Sequence, residues 1–232
     1  MIDVDLLRER VRATRVALDE AAARGGRPPG SVELLVAGKY VSAEEAPALA
    51  DAGVTLVGEN RLQDLQAKRA VIGDRVTFDF IGHLQRRKVR DVLPAVRLIH
   101  ALDSERLARE IVSRAGGPTR LLVELNVAEE ETKGGILPGK LDAFVEEVSA
   151  MSELTVGGLM VMPPAHTDPE RSRPYFARAR ETASRLAERW AGRHDFRDLS
   201  MGTSQDHLVA AEEGATIVRV GRGLIEPTRV GG

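Results

Sequence analysis

From residue 33 onward the chain alternates short apolar runs with longer amphipathic stretches, and it does so eight times. Before that, Leu7, Val11, Leu18 and Ala22 lie along one stripe of residues 3–24, which predicts an amphipathic helix that Gly25-Gly26-Arg27-Pro28-Pro29-Gly30 stops. The first apolar run, Glu33-Leu34-Leu35-Val36-Ala37-Gly38-Lys39, reads as a buried strand. Alternation puts Leu35, Ala37 and Lys39 on one side of it, so a lysine closes a core-facing row. Ser42 with Glu45 three residues on forms a capping box for the next helix, which runs to Gly53. Further strands are predicted at 55–59, 78–82, 97–102, 121–126, 156–162, 196–200 and 216–221. The helices between them are predicted near 61–71, 84–93, 103–117 (capped by Asp103), 138–151, 168–191 and 204–213. Eight strands alternating with helices imply parallel pairing through right-handed crossovers, and in this length they suggest a single-domain α/β (β/α)8 TIM barrel over about 33–226, preceded by an extra N-terminal helix. An open doubly wound sheet is the competing arrangement, and no GxGxxG follows the first strand to favour it.

The bulk numbers narrow the class of function. The 232 residues are 43% hydrophobic, enough for one sizeable core, and carry a net charge of -2 from 33 basic and 35 acidic residues. That balance gives no general attraction to nucleic acid or anionic membrane. Cysteine is absent, which removes disulfides, thiol nucleophiles and cysteine metal sites. No apolar run approaches a membrane span, and Met1-Ile2-Asp3-Val4-Asp5 is not the start of a signal peptide, so the expectation is a cytoplasmic protein.

The residues with chemical potential gather at predicted strand ends, where barrels place their active sites. A lysine held out of water loses its proton readily and can form a Schiff base with an aldehyde, and Lys39 is one of only five lysines in the chain. After the seventh strand, Ser200-Met201-Gly202-Thr203-Ser204 offers three hydroxyls and a flexible glycine next to a helix start; after the eighth, Gly221-Arg222-Gly223 adds a cation. Two such neighbouring loops suit one phosphate group, although a plain helix cap and glycine turn would look the same. Arg219 shares a strand face with Ile217 and Gly221; if that face is the barrel interior, a guanidinium is buried there and needs partners. A phosphate cup facing an aldehyde-reactive lysine suits pyridoxal 5'-phosphate (PLP). The five histidines show no metal spacing; His83 falls at the end of the third strand. The basic run Arg86, Arg87, Lys88, Arg90 reads as a solvated face, and Glu129-Glu130-Glu131 as a surface loop.

The ordered set of these pieces resembles the YggS/PROSC family of PLP homeostasis proteins, which are similar to the N-terminal barrel domain of alanine racemase. The resemblance runs from about residue 5 to 226. It rests on Leu34-Leu35-Val36-Ala37-Gly38-Lys39; Gly58-Glu59-Asn60 with Gln63; Phe80-Ile81-Gly82-His83-Leu84-Gln85 with Lys88; Lys133-Gly134-Gly135; Gly158-Leu159-Met160; Ser200-Met201-Gly202 with Ser204 and Asp206; and Val218-Arg219-Val220-Gly221. The resemblance implies PLP held as a Schiff base on Lys39. It implies a phosphate site from Ser200, Gly202, Thr203, Ser204, Gly221 and Arg222, a pyridine nitrogen facing Arg219, and a pocket lined by Asn60, His83 and Met160. Gly38 and Tyr40 depart from the family's usual Ser and Thr, Arg86-Arg87 from Ser-Asn, Thr203 from Met, Arg222 from Thr and Glu226 from Gly.

Alanine racemase takes a second catalytic base, a tyrosine, from another domain, and neither Tyr40 nor Tyr175 matches that role. The resemblance therefore implies a monomeric carrier that holds PLP, with PLP-dependent apoenzymes as recipients and little turnover. A weak PLP-dependent racemase is the alternative. A cofactor-free barrel enzyme, with Lys39 forming a Schiff base to a phosphorylated sugar, is a third class.

Overall fold

The computed structural model describes residues 1–130 and 133–229; Glu131, in the acidic run noted above, lies outside them. The first element is a helix, α1 (Val4–Arg24). Asp3 caps it, its Oδ1 accepting from the amides of Asp5 and Leu6, both at 3.0 Å. Leu7, Val11, Leu18 and Ala22, the predicted stripe, are buried on its inner side. Strand β1 (Glu33–Ala37) follows, then α2 (Pro47–Asp51), β2 (Leu56–Glu59), α3 (Leu62–Ile72), β3 (Thr77–Phe80), α4 (Val89–Val92), β4 (Leu98–Leu102), α5 (Glu105–Arg114) and β5 (Thr119–Leu125). The second half continues with α6 (Leu141–Ser149), β6 (Leu154–Val161), α7 (Arg173–Arg189), β7 (Asp198–Thr203), α8 (His207–Glu212), β8 (Ile217–Val220) and α9 (Arg222–Ile225).

The eight strands are parallel and each pairs with its sequence neighbours. β8 returns to β1 in the register Glu33↔Ile217 to Val36↔Val220, so the sheet closes into a barrel and the open-sheet alternative is excluded. Strand alternation separates two apolar layers. Leu35, Leu56, Leu98, Leu122, Met160 and Ile217 point inward and fill the barrel. Leu34, Val36, Val57, Phe78, Phe80, Val218 and Val220 point outward, under the helices. α1 covers the lower part of α8: Arg27 donates to Ala211 O at 2.6 Å and Ala215 O at 2.9 Å, and Arg24 pairs with Glu212.

Several boundaries differ from the expected ones for identifiable reasons. β1 stops at Ala37, and Gly38–Tyr40 forms a 3-10 turn, so Lys39 leaves the strand before the mouth. The Ser42–Glu45 box is present, each amide donating to the other's side chain at 3.3 Å, but regular helix begins only at Pro47. Residues 86–95 break into two 3-10 turns around α4, the second containing Pro94. Ser104, not Asp103, caps α5, because Asp103 is engaged by His83 Nδ1 at 2.9 Å. β7 runs on to Thr203, so Ser200 to Thr203 are strand rather than loop. No helix among the described residues is long and apolar enough to cross a membrane.

One buried histidine ties the lower end of the barrel to its helices. The Val156 amide donates to His194 Nδ1 (3.2 Å), so the ring proton sits on Nε2 and faces Ser149 Oγ (2.8 Å). The Ser149 hydroxyl donates in turn to Val145 O (2.6 Å). Burial, aided by Arg193, lowers the imidazole to about 4. The unfolded chain takes up this proton near the ordinary value of about 6.5, the folded chain only far below it. Stability from His194 is therefore whole above that value and falls as pH drops through the window below it. Between roughly pH 7 and pH 5, urea unfolding should show the wild type losing about 2 kcal/mol more than His194→Gln, in which that position cannot titrate.

Candidate functional site

At the carboxyl ends of the strands a cavity of about 350 Å³ is lined by Ala37, Lys39, Tyr40, Asn60, Ile81, Met162, Thr203, Ser204, Gln205, Arg219, Gly221 and Arg222. That volume falls within the range of small-ligand pockets, roughly 300–1,000 Å³. Lys39 enters from the turn after β1. Its side chain is exposed rather than sealed in the core, so the expectation of a desolvated strand-end lysine does not hold; the Tyr40 ring lies 5.0 Å from Nζ.

What supports the Lys39 turn is a buried ion pair behind it. Glu59, the last residue of β2, is fully buried, and Lys68 of α3 reaches it with Nζ 2.8 Å from Oε1. Burial pushes the Glu59 carboxyl up, against the pull of Lys68. A Cβ at residue 38 would collide with Glu59 Oε1, so the glycine before Lys39 is the space this carboxylate occupies. Tyr40 plays the same part on the other side: a Cβ at Gly221 would collide with its ring, and the Arg222 guanidinium stands 5.8 Å from the ring centroid. Arg229 holds the turn from outside, donating to Tyr40 O at 2.7 Å while paired with Glu45.

The loops after β7 and β8 meet at Ser204. Its Oγ lies 3.1 Å from the Gly221 amide and 3.4 Å from the Gly223 amide, which converge on one point beside Arg222. Thr203 is anchored by Asp206, whose Oδ1 accepts from the Thr203 amide (2.7 Å) and hydroxyl (3.1 Å). Gly202 does not open towards the cavity. It is buried with φ +90° and lies so close to Ala210 and His207 of α8 that no side chain fits.

Arg219 points into the barrel and is buried. Nη1 donates to the carbonyl and hydroxyl oxygens of Ser200, both at 2.6 Å, and Nη2 to Val161 O at 2.9 Å. None of these acceptors carries a full charge. Desolvation lowers the guanidinium to about 10, opposed by the more distant Asp206 and Glu124. Ser200 is fully buried below Arg219, with its hydroxyl also engaged by His100 Nδ1 at 2.9 Å, so it supports the cavity floor instead of lining it.

Of the residues singled out from sequence, the cavity gathers Lys39, Asn60, Thr203, Ser204, Arg219, Gly221 and Arg222. Met160 lies beneath, in the inner apolar layer, and Met162 takes the place at the mouth. His83 is largely exposed at the rim, on Asp103. Tyr40, Ile81 and Met162 were missed as lining residues; period-two continuation from Met160 would have found Met162. Among the described residues no cluster of histidines and carboxylates is arranged to hold a metal ion.

A closed (β/α)8 barrel with a lysine on the turn after its first strand and a polar cup between its last two loops defines a class. The model of the alanine racemase N-terminal domain matches residues 37–226. Within that class the chain belongs to the family of pyridoxal phosphate homeostasis proteins: it is 39% identical to the one from Aquifex aeolicus over 219 residues, 92% of this chain and 94% of the relative. PipY of Synechococcus elongatus, solved with PLP bound, superposes with a TM-score of 0.80 at 30% identity, covering 94% of this chain and 99% of PipY. Alanine racemase from Corynebacterium glutamicum shares the fold, with a TM-score of 0.70 at 16% identity, over 97% of this chain but 61% of the racemase.

The pair behind Lys39 has a measurable signature. Lys68→Met alone, which leaves the Glu59 carboxyl buried without its cation, should lower the free energy of unfolding by about 3–5 kcal/mol. Replacing both partners, Glu59→Leu with Lys68→Met, should recover most of that loss in the same urea titration.

Proposed function

We propose that this chain binds PLP at the barrel mouth, as a Schiff base on Lys39, and serves to hold and supply the cofactor with little turnover of its own. The observation that carries this reading is the company of three features in one cavity. They are an exposed primary amine, a buried guanidinium with no carboxylate in contact, and two amides converging on a serine hydroxyl beside an arginine. These fit the three poles of PLP: aldehyde, ring nitrogen and phosphate. The near full-length match to relatives named for PLP homeostasis, and to a PLP-bound neighbour, supports it further.

Lys39 Nζ would supply the amine that condenses with the aldehyde, with loss of one water. Ser204, the Gly221 and Gly223 amides and Arg222 would hold the phosphate; a guanidinium makes charge-assisted hydrogen bonds there that a neutral side chain would not. Asn60, Ile81 and Met162 would border the ring. When bound, PLP supplies a reactive aldehyde and a ring that can delocalise negative charge. Arg219 would meet the ring nitrogen as a permanent donor, which disfavours protonating that nitrogen and weakens the ring as an electron sink. That favours storage over catalysis. Apoenzymes that require PLP would be the recipients, and the protein would act beside them in the cytoplasm.

Purified wild-type protein mixed with PLP should develop a visible absorption band that Lys39→Ala lacks, and borohydride should fix the cofactor to the peptide containing Lys39. No band at excess PLP would overturn the reading. Rapid exchange of an amino acid's α-proton with solvent deuterium would replace the carrier with an enzyme.

A further inference from the structure

A single file of polar groups crosses the barrel beneath the cavity, buried from Asp79 to Arg219 and reaching solvent at Arg97. Arg97, at the amino end of β4, donates to Asp79 of β3 through Nε (3.0 Å to Oδ1) and Nη2 (2.8 Å to Oδ2). Asp79 Oδ2 also lies 3.1 Å from Nε2 of His100 on β4. His100 Nδ1 lies 2.9 Å from Ser200 Oγ on β7, and Arg219 Nη1 of β8 reaches that same oxygen at 2.6 Å. Asp79, His100 and Ser200 are all fully buried. The His100–Ser200 contact joins strands on facing sides of the barrel, where most of the interior is filled by aliphatic side chains.

Hydrogen-bond chemistry gives this file one direction. An ionised carboxylate only accepts, so the His100 proton facing Asp79 is on Nε2. Burial disfavours a second proton on the ring, although Asp79 works the other way and Arg219 and Arg97 work with burial. Nδ1 is then an acceptor, and the Ser200 hydroxyl must donate to it. That leaves the Ser200 oxygen lone pairs for Arg219. If Nδ1 carried a proton instead, Ser200 Oγ would face two donors and its own hydrogen would have no acceptor among these partners. An Asp–His–Ser file of this kind suggests a nucleophile, but Ser200 is closed off from the cavity by Arg219.

We propose that Asp79, His100 and Ser200 are positioning residues that hold Arg219 as a pure hydrogen-bond donor, its charge undischarged, against the ring nitrogen of PLP. The inference rests on the PLP reading above. It assigns to three residues outside the cavity lining the control of how the cofactor's ring is protonated. The Ser200 hydroxyl is thereby committed to Arg219 and His100 rather than to the phosphate.

Two readouts test it. In the chain without PLP, nitrogen NMR of labelled histidine should show His100 neutral, as the Nε2–H form, across neutral and mildly acidic pH. Asp79→Asn, nearly isosteric, should release the other tautomer. A proton on Nδ1 of the wild-type ring overturns the proposal. With PLP, Ser200→Ala should keep the cofactor on Lys39, with Kd raised about tenfold for the loss of one buried hydrogen-bond partner, and Ser200→Thr should restore it. The visible band of the bound cofactor should change its pH dependence in both Ser200→Ala and Asp79→Asn, which a loss of packing alone would not cause. Variants that bind PLP with wild-type affinity and spectrum overturn the inference while leaving the PLP reading intact. A wild type with no band overturns that reading and this role with it.

Discussion

Arg219 is a cation buried at the barrel axis with only neutral oxygen acceptors in contact, and much of the upper interior is arranged around that burden. A guanidinium taken out of water needs its donors satisfied, and Ser200 of β7 and Val161 of β6 supply the oxygens. The Ser200 hydroxyl can serve only because His100 takes its hydrogen, and His100 can do so only because Asp79 fixes the ring. Closure of β8 onto β1 brings Arg219 level with Leu35, four residues before Lys39 emerges at the mouth. The buried charge and the free amine therefore face one cavity.

The lysine side of that cavity rests on a different balance. Glu59 and Lys68 are both buried, and such pairs contribute less to net stability than their separation suggests, because each ion gives up its hydration. Their value lies in shape and register. The carboxylate fills the space beside residue 38, α3 is pinned against the end of β2, and the 3-10 turn carrying Lys39 has a rigid wall behind it. Tyr40 fills the opposite wall, against Gly221 and Arg222. These are the positions where the chain departs from the usual Ser and Thr around the lysine. Each departure is matched to a neighbour: Glu59 uses the room left at Gly38, and Tyr40 uses the room left at Gly221.

Periodicity located the elements well because each strand is buried on both sides and reads as a compact apolar run between turn residues. The eightfold alternation, the capping box at Ser42 and the oddity of Arg219 between Val218 and Val220 could all be read along the chain; that Arg219 faces inward could not. Element ends were read less well. Asp103 looks like a cap until His83, twenty residues away, takes its carboxylate. Ser200 looks like the start of a phosphate loop until β7 is seen to continue through Thr203. In both cases a partner distant in sequence decides what a polar side chain does.

The sequence by itself determined the eight parallel strand–helix units, the helix in front of them and the strand ends that bear chemistry, since these follow from local periodicity and from how parallel strands must connect; closure into a barrel rests on the pairing of β8 with β1. It also singled out Lys39, Ser204, Arg219 and Arg222 as unusual for their positions. Only the tertiary structure decided that Lys39 is exposed, that Ser200, Gly202 and Met160 lie beneath or behind the cavity, and that Tyr40 and Met162 line it. Nor could local pattern join Asp79, His100, Ser200 and Arg219. They come from four strands, and only the curvature that closes the sheet brings their side chains within hydrogen-bonding distance.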